Sequence, residues 1–253
     1  MKMHERQYGY LFDPTGMISF RSSNVQNMGG FRLGGNLMAH ILVIGASRGI
    51  GRAVTEAAVL KGHHVRAMSR SGEVPRDRAG HIEAFKGDAL APDDVSRALD
   101  GNDVGVQALG VPASLDLITR PVMLFSAATR VLLPAMTTAG VKKLAAVTGF
   151  GAGDSNASIN LLQRLPFTFL LGRAYDDKSE QERLIEASDL DWLIVRPGVL
   201  TIGPKSGAYR VLTEPVSWRN GIVSRADVAD FITERIAADR FGREKPVIIR
   251  CPL

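Results

Sequence analysis

The stretch Ile41-Leu42-Val43-Ile44-Gly45-Ala46-Ser47-Arg48-Gly49-Ile50-Gly51-Arg52-Ala53-Val54 decides the architecture. Its four apolar residues read as a buried strand, and the glycines that follow read as a tight turn opening a helix. Glycines at this place let the backbone turn sharply and come close to an anionic group. The charge of that group then meets free amides at the positive end of the helix. Without a Cβ at Gly51, the helix also packs close to the strand. Three glycines alone are a weak signal, because glycine-rich loops are common; between a buried strand and an amphipathic helix they become specific. The expectation is a dinucleotide pyrophosphate held by Gly45, Ser47, Arg48, Gly49, Ile50 and Gly51.

Outward from this stretch, short apolar runs alternate with amphipathic segments from Ala39 onward, as in a series of βαβ units. Strands are expected over 40–44, 64–68, 81–85, 104–108, 143–148, 192–195 and 247–250. Helices are expected over 50–61, 93–99, 121–139, 176–188 and 225–238. Gly62 stands where the first helix stops, and Pro92 just before the second. Ser224-Arg225-Ala226-Asp227 has capping-box spacing, in which the Ser hydroxyl accepts the third amide while the carboxylate reaches back. The predicted fold class is α/β, a doubly wound, mostly parallel, Rossmann-like sheet in a single domain spanning 38–253.

Residues 1–37 differ from the rest: six glycines and few periodic apolar positions. They are expected to form a flexible extension, with Met38 opening the domain; a functional arm that wraps a partner is the alternative. The single cysteine, Cys251, excludes an internal disulfide, and no Cys/His cluster has zinc-ligand spacing. A reduced, cytoplasmic setting is expected. No apolar run is long enough to span a membrane. Net charge is +5, of which residues 1–37 carry +2, and no basic run appears in the remainder. Nucleic acid is therefore not an expected partner; scattered charges are a solvated face. The expected partner is a small-molecule acceptor, and the chain is expected to be a monomer or homodimer.

A site for NAD commonly places Asp or Glu about 20 residues beyond the glycines, to bond the ribose 2′-hydroxyl. Here the second strand ends Met68-Ser69-Arg70-Ser71, with no carboxylate. Arg70, assisted by Arg48, suits a 2′-phosphate, because a guanidinium matches phosphate in a bidentate manner. NADP(H) is thus expected over NAD(H).

These residues resemble the short-chain dehydrogenase/reductase superfamily, in its atypical branch with the NmrA-like regulators and the biliverdin reductase B/flavin reductase type. The resemblance covers roughly 39–252. Its carriers are the glycine loop, Gly87-Asp88-Ala89, Ala108-Leu109-Gly110, Val147-Thr148-Gly149, Lys178 with Glu182, and Asp189 through Gly198. It implies that Asp88 and Ala89 touch the adenine and that Ala108, Leu109 and Gly110 line the adenosine ribose. It also implies that Thr148 faces the nicotinamide, with Pro197 and Gly198 bordering its amide.

Many members of the superfamily use Tyr-x-x-x-Lys, in which the lysine lowers the pKa of a proton-donating tyrosine. This chain has Tyr175-Asp176-Asp177-Lys178, one residue short. Three-apart residues still share a helix face, so the pair is not excluded by geometry. Lys178 is expected to hold the nicotinamide ribose, while Tyr175 either donates a proton or packs on the substrate pocket. Thr148 has the right place but a hydroxyl pKa too high for unaided donation. Asp176 and Asp177, adjacent on a helix, diverge too far to share a proton, and are expected to favour their helix N-terminus through its dipole. The apolar stretch 160–171 roofs the substrate site, buries in a dimer, or packs in the core. Two functions follow: an NADP(H)-dependent reductase of a flavin, quinone or similar conjugated acceptor, and a non-catalytic NADP(H)-binding redox sensor.

Overall fold

The computed structural model describes residues 38–75, 80–111, 123–158 and 161–252. The described residues all fall within one unit, 36–253. The expected extension over 1–37 lies outside the described residues.

Strand β1 (His40–Ile44) shows how the layers arise. Successive strand side chains point to opposite faces. Ile41 and Val43 therefore join one core with Val54 and Ala58 of α1 (Gly49–Leu60) and Val228, Phe231 and Ile232 of α5 (Arg225–Ala237). Leu42 and Ile44 join the other with α2 (Pro92–Leu99), α3 (Leu124–Ala139) and α4 (Leu161–Glu186), through Val95, Leu99, Leu132, Met136 and Ile185. The result is three layers, with the sheet in the middle. Covered on both faces, β1 has no polar side to show, hence its unbroken apolar run.

The main sheet has the order β3-β2-β1-β4-β5-β6-β10-β8. Its strands are β2 (His64–Ser69), β3 (Ile82–Lys86), β4 (Val104–Gln107), β5 (Lys143–Val147), β6 (Asp191–Pro197), β8 (Arg210–Leu212) and β10 (Val247–Ile249). All neighbours run parallel except β8, which pairs antiparallel with β10. The winding reverses between β1 and β4, the switch point beyond whose strand ends doubly wound folds bind ligands. A small second sheet joins β7 (Val199–Thr201), β9 (Gly221–Ser224) and β11 (Cys251–Pro252). The Rossmann-like α/β class read from the sequence is the class observed.

Several expected boundaries move. The third strand is shifted by one residue, and β7, β8, β9 and β11, each four residues or fewer, carry no periodic signal of their own. The expected helix over 121–139 is seen from Leu124; residues 121–122 lie outside the described ones. The expected helix 176–188 begins fifteen residues earlier, at Leu161, so most of the apolar stretch 160–171 is helical backbone.

Asp176 and Asp177 therefore do not open their helix. Asp177 caps another one: its carboxylate accepts the amides of Phe125 (2.8 Å) and Ser126 (3.2 Å) in the first turn of α3. A negative group there meets both free N–H donors and the helix dipole. At α5 the expected cap forms, with Ser224 Oγ accepting the Asp227 amide at 3.0 Å. The Asp227 carboxylate takes a different course from the capping box. It accepts from the Ser224 hydroxyl and from Ser206 and Gly207, which ties the loop after β7 to the helix.

Candidate dinucleotide site

The cavity lies at the carboxyl ends of β1, β4 and β5 and measures about 670 Å³, in the range of small-molecule sites. Its floor is the glycine turn. Gly45 and Ala46 both donate to Met68 O (3.0 and 3.1 Å), which folds the chain over the end of β2. Gly45 holds a φ of +92°, and a Cβ on it would stand 2.7 Å from Ala108 O. A Cβ on Gly51 would stand 2.2 Å from Gly45 O, so α1 reaches the turn only because that residue is glycine.

Arg48 is the N-cap of α1, its side chain makes no cap bond, and the first turn holds no acidic residue. By contrast, α2 begins with Asp93 and Asp94, α3 is capped by Asp177 and α5 by Ser224. The first amides of α1 thus meet the cavity without a side-chain acceptor, the arrangement a phosphate needs. The local residues fit a dinucleotide.

Gly45, Ser47, Arg48, Gly49, Ile50, Arg70, Asp88, Ala89, Ala108, Leu109, Gly110, Thr148 and Lys178 all line the cavity. Arg48 and Arg70 are exposed and make no ion pair among the described residues. Asp88 shapes the turn after β3: its carboxylate accepts Leu90 N at 3.0 Å, and its own amide donates to Asp94 at 2.9 Å. Four expected site residues stand behind the wall instead. Gly51 packs against the turn, Tyr175 lies against Gly149, Pro197 is buried in β6, and Gly198 presses on the Gly221 backbone.

At the β5 end, Lys178 Nζ donates to the Thr148 carbonyl and stands 5.0 Å over the Phe125 ring. Burial pushes its ammonium down to about 8, against the opposing pull of Glu182 and Asp177. Burial pushes the Tyr175 phenol up to about 12, which keeps it protonated and a poor acid near neutrality. The Thr148 hydroxyl donates to Glu182 Oε1 at 2.6 Å. Its proton is thus committed away from the cavity, and its oxygen is left to accept.

Glu182 is held in turn. It is 1% exposed and accepts two bonds from the fully buried Arg196 guanidinium, at 3.0 Å from Nε and 2.6 Å from Nη2. Arg196 also reaches Asp154 and lies 4.9 Å over the Trp218 ring. The family resemblance singled out Lys178 and Glu182 and left the Arg196 partnership unread, since a buried arginine looks like any strand-end residue. It also left out Leu200, Ile202 and Arg225, which line the cavity from the C-terminal elements.

Among the described residues no cluster suits a metal ion, and no helix is long and apolar enough to cross a membrane.

A family described as NAD(P)H-binding matches residues 45–239. Among curated proteins nothing matches. Among solved structures, the chain is similar to ChuY, an anaerobillin reductase from Escherichia coli, at 24% identity over 83% of this chain and 97% of that one, with a TM-score of 0.67. It is also similar to a wide-type short-chain dehydrogenase/reductase from Veillonella parvula in complex with NADP (15% identity, 84% and 95% covered, TM-score 0.70). The oxidoreductase YlbE from Lactococcus lactis aligns at 19% identity over 84% and 91%, with a TM-score of 0.69. Identities this low show a common fold. The family match extends over most of the chain and includes the glycine turn, and on it this chain belongs to the NAD(P)H-binding family.

Proposed function

We propose that this protein is an NADP(H)-dependent reductase acting on a flavin, quinone or similar conjugated acceptor. The observation that carries the cofactor choice is Arg70, an exposed guanidinium without an ion pair among the described residues, at the end of β2, where an NAD site would hold a carboxylate. The glycine turn and the open amides of α1 bind the pyrophosphate, and Arg48 and Arg70 bind the 2′-phosphate. Lys178, charged near neutrality, holds the nicotinamide ribose. Thr148 offers its oxygen as an acceptor beside the nicotinamide. Bound reduced nicotinamide supplies a hydride, and the chain's task is to orient it against a planar acceptor. The NADP-bound short-chain neighbour and the reductase activity stated for ChuY support this reading by likeness of fold.

The test is direct. Purified protein is mixed with NADPH and FMN, dichlorophenolindophenol or a quinone, and the nicotinamide absorbance is followed. Turnover that Lys178→Ala abolishes supports the reductase. An unchanged NADPH affinity in Arg70→Glu overturns the cofactor assignment. The second reading, a redox sensor, is favoured by the proton arrangement: Tyr175 stands behind the wall and the Thr148 proton is held by Glu182. Micromolar NADPH binding without turnover on any acceptor selects it.

A further inference from the structure

Arg225, the first residue of α5, lines the cavity with Leu200 and Ile202. The residues around it are fully engaged. Asp227 is occupied by Ser206, Gly207 and Ser224, and Asp230 by Lys61 and Lys205. Both neighbouring carboxylates are thus spent on other donors, and Arg225 itself makes no ion pair among the described residues. An uncompensated guanidinium on a cavity wall is a site for an anion.

Its location narrows which anion. Helix α5 packs alongside α1 on one face of the sheet, and Lys61, just past the end of α1, bonds Asp230 and Glu234 of α5. Arg225 therefore stands on the face of the sheet that α1 covers, the face on which the glycine turn opens that helix. Along a dinucleotide lying from Arg70 to Lys178, the anionic group between the two ends is the pyrophosphate. The glycine turn offers it amide dipoles, and Arg225 adds a formal charge from the neighbouring helix.

We infer that Arg225 binds the cofactor's pyrophosphate beside the glycine turn. This rests on the cofactor reading above but not on the choice of acceptor or on turnover. A guanidinium there gives two parallel bonds to adjacent phosphate oxygens, which a point charge does not.

The experiment compares wild type, Arg225→Gln and Arg225→Lys by calorimetric titration with NADPH and with adenosine 2′-monophosphate, which has the 2′-phosphate and lacks the pyrophosphate. In Arg225→Gln, NADPH affinity is expected to fall roughly ten- to a hundredfold, as for a lost charge-assisted bond, with that for adenosine 2′-monophosphate unchanged. Arg225→Lys is expected to recover part of the loss. Thermal unfolding of both variants is expected to match wild type, since Arg225 has no ion pair among the described residues to lose. Unchanged NADPH affinity overturns the inference, and a raised KM for an anionic acceptor would then assign the guanidinium to the substrate. An equal loss on both ligands also overturns it. Wild-type protein that binds neither NADPH nor NADP⁺ instead overturns the cofactor reading itself.

Discussion

The Thr148 hydroxyl points its proton at Glu182, 2.6 Å away, while Arg196 clamps the same carboxylate from the other side. A residue at the end of β5 that faces the cavity is thereby oriented by a charge pair with almost no contact with water. The pair joins helix α4 to strand β6 beneath the site, so the position of the cavity wall and the stability of the fold share one interaction.

Removing Glu182 leaves the buried Arg196 with only the half-exposed Asp154 as counter-charge, at a cost of about 3–5 kcal/mol. Glu182→Ala is therefore expected to lower the melting temperature by on the order of 10 °C for a chain of this size. Replacing both partners, Glu182→Met with Arg196→Met, is expected to restore much of that. Calorimetry of the two proteins decides it: a double variant as unstable as the single one rules out an unpaired charge as the cause.

Gly51→Ala places a methyl group 2.2 Å from Gly45 O, a backbone atom that cannot rotate aside. Helix α1 must then withdraw from the turn, with an expected stability loss of about 1–3 kcal/mol and weaker NADPH binding. Gly110→Ala is the control for stability, since a Cβ there meets nothing within 4 Å. Denaturant melts of both variants check the first effect, and fluorescence titration of Gly51→Ala the second.

Lys178 carries its charge near neutrality and loses it as pH rises past about 8. NADPH affinity is expected to be level below that point and to weaken above it, because the neutral amine no longer makes charge-assisted bonds to the ribose. An anionic ligand favours the ammonium, so the bound form loses its charge at higher pH than the free one. Binding isotherms across the range test this. A profile for Lys178→Arg that falls at the same pH as wild type would remove the lysine from the explanation.

His63 is buried, its Nδ1 accepts the Ala39 amide at 3.2 Å, and burial with nearby Lys61 lowers its pKa. Below the unfolded value of about 6.5, the unfolded chain binds a proton that the folded one refuses. Stability is thus expected to fall as pH drops through 6.5 towards the depressed folded pKa, by at most about 1.4 kcal/mol per pH unit. His63→Asn keeps an acceptor for Ala39 and removes the titration. Urea melts at several pH values are expected to show a shallower slope in that variant; equal slopes would assign the acid sensitivity elsewhere.

The lining of the candidate site was legible in sequence wherever it comes from a few contiguous residues. The turn that begins at Gly45 lines the cavity, as does Arg70 at the end of β2. The capping serine at 224 was legible for the same reason, its partner amide being three residues away. The start of α4 was not. Leu161–Leu171 lacks the alternation of polar and apolar positions that marks a half-buried helix, so periodicity gave no purchase there. Asp177 read as a feature of its own helix because the true partner, the start of α3, lies 52 residues earlier.

What the sequence alone determined was the βαβ order, the glycine turn and the cationic end of β2, because each depends on the conformational limits and polarity of neighbouring residues. Only the tertiary structure decided which distant groups meet. It set Arg196 and Thr148 on one buried carboxylate, turned Tyr175 onto Gly149, and brought Arg225 into a cavity whose glycine turn is some 175 residues earlier in the chain. The physical reason is that crossover connections and layer packing create those juxtapositions, and no local pattern encodes a partner that the fold supplies.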